Sequence, residues 1–166
     1  PLSFAAVLPA LSAAPHLANG VKVGEVDDRS ALVWTRLTET DAADFGRLPI
    51  LTQGLDQRDP DVGEIPPDLL PGAPGEVRLT WWPAAAGDLA KELTAWATVS
   101  PDRDFTHQFA LSNLEPDTLY AYVVEGRAPS RDAMVATASG QFRTAPAAGA
   151  APPIRFIVTT CQAVRS

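Results

Sequence analysis

The sequence predicts a mainly β protein: an antiparallel Greek-key β-sandwich, followed by one strand of a second, truncated α/β domain. Three observations carry this prediction. Six or seven short stretches alternate apolar and polar residues and are separated by turn-forming Gly, Pro, Asp and Asn. The stretch Leu114–Tyr120 has the spacing of a tyrosine corner, in which a Tyr hydroxyl near the start of a strand bonds back to the turn before it. Finally, Ile154–Val158 is nearly continuously apolar, the pattern of a strand covered on both faces in a parallel or mixed sheet.

The opening "PLSFAAVLPALSAAP" is apolar and rich in small residues, and both an N-terminal arm and the remnant of a secretory signal remain open for residues 1–18. A chain beginning at Pro1 and not at Met is expected to be trimmed or processed. "NGVKVGEVDD" (19–28) alternates Val21, Val23 and Val26 and ends on an Asp pair, a turn signal. "SALVWTRL" (30–37) is the clearest strand, with Leu32 and Trp34 on one face and Val33, Thr35 and Leu37 on the other.

From about Thr38 to Gly75 the pattern is irregular. Pro49, Pro60, Pro66, Pro67, Pro71 and Pro74 remove ladder donors and fix φ, so the stretch is expected to be a long inserted loop, functional or disordered. "GEVRLTWWP" (75–83) returns to a strand with Val77, Leu79 and Trp81 on one face. The adjacent Trp81 and Trp82 must then face opposite ways, one into the core. The other ring suits domain packing, with a ligand-stacking platform as the alternative.

Ala84–Leu93 reads as a short helix or a hairpin tip, and "LTAWATVS" (93–100) as a weaker strand. "FTHQFALSNL" (105–114), "TLYAYVVEG" (118–126) and "GQFRTAP" (140–146) complete the set. The small, Pro-rich "APAAGAAPP" (145–153) then breaks the pattern as a linker does. The expected division is an arm at 1–18, a sandwich at 19–146 with an insertion at 38–75, a linker at 147–153, and the first strand of the next domain at 154–166.

Composition narrows the function classes. The chain has 166 residues, 46% hydrophobic and 20% charged, which fits a globular domain able to bury roughly 70% of its unfolded surface. A net charge of −7 with no Lys/Arg cluster argues against a nucleic-acid partner. No apolar run reaches the length of a membrane span. One cysteine forms no internal disulfide, so the compartment is not legible from disulfides.

Residues that carry chemistry are few. His16 and His107 lack a neighbouring His or Cys at metal-ligand spacing and read as structural or surface residues. Asp56, Asp59, Asp61 and Glu64 do not follow a calcium-loop spacing and are interrupted by Pro60, so they read as a solvated acidic loop. Phosphate-binding Gly loops, nucleophile elbows and zinc-protease helices are missing from the sequence. Cys161 stands at the C-terminal end of "IRFIVTTC", where ligands and metals collect in open α/β sheets, and a thiolate there suits iron or zinc. A small buried hydrophobe is the other reading of the same residue.

Around Leu114, Pro116, Thr118 and Tyr120 the chain resembles a fibronectin type III domain, and that resemblance implies Trp34 as the core aromatic of the second strand. The order "NGVKVGEVDDRSALVWTRL", "FTHQFALSNLEPDTLYAYVVEGR", "GQFRTAP", linker and "IRFIVTTCQ" resembles the N-terminal part of the PhoD-like (alkaline phosphatase D) metallophosphoesterases, over about Gly20 to Gln162. The insertion at 38–75 departs from the shortest family pattern.

The resemblance implies a small fibronectin-like domain preceding a large metallophosphoesterase domain. It further implies hydrolysis of phosphomonoesters and phosphodiesters with iron(III) and calcium, and export to a secreted, periplasmic or cell-surface location. It also implies that Cys161, in "TCQ", is the first metal ligand, the remaining ligands lying past Ser166. The parent protein is thus expected to be a metal-dependent phosphoric ester hydrolase. This chain alone is expected to hold no cofactor and to be inactive, its partner being the catalytic domain or a complementary C-terminal fragment. A stand-alone fibronectin-like binding module, secreted or at the cell surface, is the alternative.

Overall fold

The computed structural model describes residues 14–44, 69–129, 136–150, 153 and 157–158. Its strands are β1 (Val21–Gly24), β2 (Ala31–Arg36), β3 (Gly75–Pro83), β4 (Glu92–Leu93), β5 (Ala97–Val99), β6 (Thr106–Leu111), β7 (Leu119–Arg127) and β8 (Ala136–Arg143). They form a three-stranded sheet, β1-β2-β6, and a five-stranded sheet, β4-β3-β7-β8, with β5 also on β3. All pairings are antiparallel. The chain changes sheet after β2, after β5 and after β6, so the expected Greek-key sandwich is the observed architecture.

The strands form where β-branched and aromatic residues alternate with polar ones, and the inner residues of the two sheets meet as the core. Val33 and Leu37 from one sheet and Val77, Leu79 and Val124 from the other are fully buried, and Phe109, Leu111, Tyr120 and Phe142 complete the layer. Thr35 also points inward, and its Oγ1 is buried without a hydrogen-bond partner.

Trp34 is a correction. It is not a core aromatic: it lies half-buried on the outer face, opposite Lys22 and Gln108, with the Lys22 ammonium 5.9 Å from its ring. Alternation separates Leu32 and Trp34 from Val33, Thr35 and Leu37 but does not say which set is inside. The register decides, because it aligns Val33 with Phe109 and Thr35 with Val21, whose side chains belong to the core.

Two element boundaries also differ from expectation. β8 begins at Ala136 and not Gly140, since Ala136–Ser139 carries small residues whose strand state comes from pairing with Val123–Gly126. The segment around "LTAWATVS" is not one strand. β4 pairs with Thr80 and Trp81, β5 pairs with Gly75–Val77, and the chain bulges between them at Thr94–Trp96. Ahead of β4, Gly87–Ala90 is a short 3-10 turn at the hairpin tip.

One pole of the sandwich is built on the tyrosine corner. The Glu115 N–H donates to the Tyr120 hydroxyl at 2.9 Å, as the spacing predicted. Thr144 Oγ1 accepts from the Thr118 N–H at 2.9 Å and donates to the Glu115 carbonyl at 2.6 Å. Ala145 closes the pole, accepting from the Asp117 N–H and donating to the Asp27 carbonyl, each at 2.9 Å. The segment that leaves β8 is thereby held at the corner. Replacing Tyr120 by Phe keeps the ring, which stacks on Phe142 at 5.5 Å, and removes only the hydroxyl. We expect a loss of about 1 kcal/mol, read as a lower urea midpoint at constant slope. An unchanged midpoint would show that the corner bond adds nothing to stability.

The opposite pole carries the two feet of the 38–75 insertion, whose interior, residues 45–68, lies outside the described residues. Thr38 bridges His16 on one side and Gly72 on the other. The Glu39 N–H donates to the Pro71 carbonyl at 2.9 Å, and the Asp44 N–H to the Leu69 carbonyl at 3.0 Å. Arg36 ties this pole together, donating to the Leu70 carbonyl at 2.9 Å and to the Asp104 carboxylate at 2.8 Å. The insertion is thus rooted at the pole away from the one where the chain leaves β8.

Candidate functional site

Cys161, the metal ligand expected from the sequence, lies outside the described residues, as do Asp56, Asp59, Asp61 and Glu64. The two histidines are not brought together. His16 takes part through its backbone in the bridge to Thr38. His107 sits inward on β6 with its ring edge-on to Phe109 at 4.5 Å, where burial and then the nearby Arg103 charge hold its pKa below the usual histidine value. Among the described residues no group of three or more His, Cys, Asp and Glu side chains is placed to hold a metal. The described residues thus hold no ligand set for the iron(III) and calcium that the resemblance implies.

The described residues do build an organised surface on the outer face of the five-stranded sheet. β3 and β7 each carry a Glu and an Arg two residues apart: Glu76 and Arg78, Glu125 and Arg127. Antiparallel register places Glu76 opposite Arg127 and Arg78 opposite Glu125. Both pairs close, at 2.6 Å for Arg127–Glu76 and 2.7 Å for Arg78–Glu125.

The bulge between β4 and β5 then lays Trp96 across both guanidinium groups, with ring centroids 4.5 Å from Arg78 and 4.0 Å from Arg127. Such contacts contribute roughly 0.5–2 kcal/mol each, and the carboxylates lock the planes in place. Farther along the same face Trp82 points outward under the Lys91 ammonium, 4.6 Å from its ring. Trp81 faces the core, its Nε1 buried without a hydrogen-bond partner. The opposed Trp81 and Trp82 are as expected. The Arg78–Trp96–Arg127 stack was missed, though the paired "EVR" and "EGR" triplets signal it once two strands are known to pair antiparallel.

Comparison with known proteins then bears on identity. The sequence profile of the PhoD-like phosphatase N-terminal domain matches residues 4–146. The chain belongs to the PhoD-like phosphatase family. Among solved structures it is similar to PhoD, with 20% identity, a TM-score of 0.54, and 88% of this chain covered against 22% of the PhoD chain. It thus spans about a fifth of that relative's length. The fibronectin type III domain of human contactin 1 is also similar, at 13% identity and a TM-score of 0.41, with 92% of this chain and 93% of that one covered. No curated protein matches the chain.

Within the PhoD-like family this sequence is an N-terminal domain, and its β-sandwich is the part described above. Among the described residues no helix is long and apolar enough to cross a membrane.

Proposed function

We propose that this chain is the N-terminal domain, with the first strand of the catalytic domain, of an exported PhoD-like phosphatase or phosphodiesterase, and that it is inactive alone. The match of the family's N-terminal domain to residues 4–146 carries this reading. The matched region ends at 146, and the proposed linker at 147–153 and new strand from 154 rest on the sequence pattern alone.

The tail supports the reading too. Ile157 and Val158 are 91% and 80% exposed and lie in no strand. Adjacent branched aliphatics this bare gain nothing from the sandwich, and they suit a strand whose covering layers belong to a following domain. In this reading Cys161 delivers one thiolate ligand, and the rest of the centre comes from residues past Ser166. When bound, the metals would supply Lewis acidity toward a phosphoryl oxygen.

The test compares the full-length protein with this 166-residue chain on bis-p-nitrophenyl phosphate. Metal-dependent hydrolysis is expected only from the full-length protein. Turnover by the 166-residue chain with stoichiometric metal would overturn its assignment as an incomplete piece.

A further inference from the structure

We propose that the outer face of the five-stranded sheet is the surface on which the following domain of the same PhoD-like chain docks. The inference rests on the reading that a catalytic domain follows the linker, and it assigns that domain a seat.

Four observations converge on this face. First, its chemistry is that of an interface centre. Two of the four tryptophans, Trp82 and Trp96, and two arginines, Arg78 and Arg127, project from it. Trp and Arg are the residue types that dominate binding energy at interfaces.

Second, the face carries exposed apolar surface. Leu93, opposite Thr80 in the register and so on the same outer side, is 59% exposed, and Val123 lies next to Thr80 on the adjoining strand. Third, the face is rigid. Both guanidinium groups are held by cross-strand carboxylates with the Trp96 indole across them, so little side-chain freedom is left to lose on association.

Fourth, the chain leaves from beside it. Ala121, paired with Trp82, is also paired with Gln141, three residues before Thr144 is anchored at the corner pole. Residues 145–153 extend at most about 30 Å, and the face from Glu76 to Trp82 is about 20 Å long, so the next domain starts within reach of all of it. The solved PhoD chain, of which this chain covers 22%, has ample mass to cover such a face.

The other sheet is a weaker seat. Its outer face has a single tryptophan, Trp34, beside Lys22, Glu25 and Gln108. It offers one indole where the five-stranded sheet offers two.

Hydroxyl-radical footprinting of the full-length protein, read by mass spectrometry, tests the proposal with Trp34 as internal reference. Trp82 is expected to oxidise at least about fivefold more slowly than Trp34, as a ring sealed in an interface does. Leu93→Asp in the full-length protein, a change at an exposed position that leaves the core intact, is expected to bring Trp82 back toward the Trp34 rate. Protection of Trp34 in place of Trp82 would move the seat to the other sheet. Equal oxidation of both would mean a tethered, undocked domain, and protection that rises with protein concentration would mean a second copy as occupant. Each of these overturns the proposal. Hydrolysis of bis-p-nitrophenyl phosphate by the same sample separates the two readings. Activity without Trp82 protection removes the docking face alone, whereas protection without metal-dependent activity removes the phosphatase reading alone.

Discussion

Replacing Cys161 with alanine in the full-length protein is expected to lower bis-p-nitrophenyl phosphate hydrolysis by about 100-fold or more and to strip iron from the purified protein. The physical reason is the donor type. In the proposed reading Cys161 supplies a thiolate, a strong anionic ligand, and water in its place does not restore that charge. Groups that merely orient a ligand are worth about 10–100-fold in affinity or activity, and a direct ligand stands at or above that range. Elemental analysis for iron beside the initial rate is the check. Circular dichroism is the control, since an unchanged spectrum separates a lost ligand from a lost fold. A variant that keeps stoichiometric iron and full rate would remove Cys161 from the centre and return it to the role of a small buried hydrophobe.

Leu37→Ala is expected to be the most damaging substitution for stability. Leu37 is fully buried just past the end of β2, and its two methyl groups occupy the space left by two glycines of the other sheet. A Cβ on Gly75 would lie 2.7 Å from Leu37 Cδ1, and one on Gly126 would lie 2.5 Å from Cδ2. Removing the side chain leaves a cavity between two backbones that cannot collapse freely, at a cost of about 2–5 kcal/mol. Against a total stability of about 5–15 kcal/mol this is a large fraction, and it corresponds to a drop in Tm on the order of 10 °C.

The converse substitution sharpens the test. Gly126→Ala alone overpacks the same spot and should cost about 1–3 kcal/mol. Combined with Leu37→Ala, the new methyl enters the vacated space, so the double variant should lose less than the sum of the two. Strict additivity in thermal melts would show that the two positions do not share one cavity. Leu32→Ala, on the half-buried outer face, serves as the control, with a loss under about 1 kcal/mol.

The tyrosine corner was fully legible because all its parts lie within a few residues: Leu114, Pro116, Thr118 and Tyr120 set their own turn before any distant strand arrives. The strands at 75–83 and 119–127 were legible for a similar reason, since Val, Leu, Trp and Tyr in alternation leave few other low-energy states. Ala136–Ser139 was not legible. Ala, Thr and Ser have no strong preference of their own, and these residues are a strand only because β7 offers its edge.

Of the candidate surfaces, Cys161 rested on the ordered motifs of a family, and the described residues do not reach it. The Trp96 stack rested on geometry. Arg78 and Glu125 are 47 residues apart in the chain, and only antiparallel register brings them to 2.7 Å.

Trp34 marks the limit between the two kinds of information. Period-two alternation assigned it to the face of Leu32 and opposed it to Val33, and local sterics suffice for that. Whether that face was core or solvent depended on Phe109 and Val21, residues of other strands, and on the second sheet that Leu79 and Val124 bring against Val33. The tyrosine corner, the strongly alternating strands and the fold class follow from short-range chemistry along the chain. The inward face of each strand, the site of the insertion's feet and the guanidinium–indole stack follow from which strands meet, because burial is a property of two surfaces together and not of either alone.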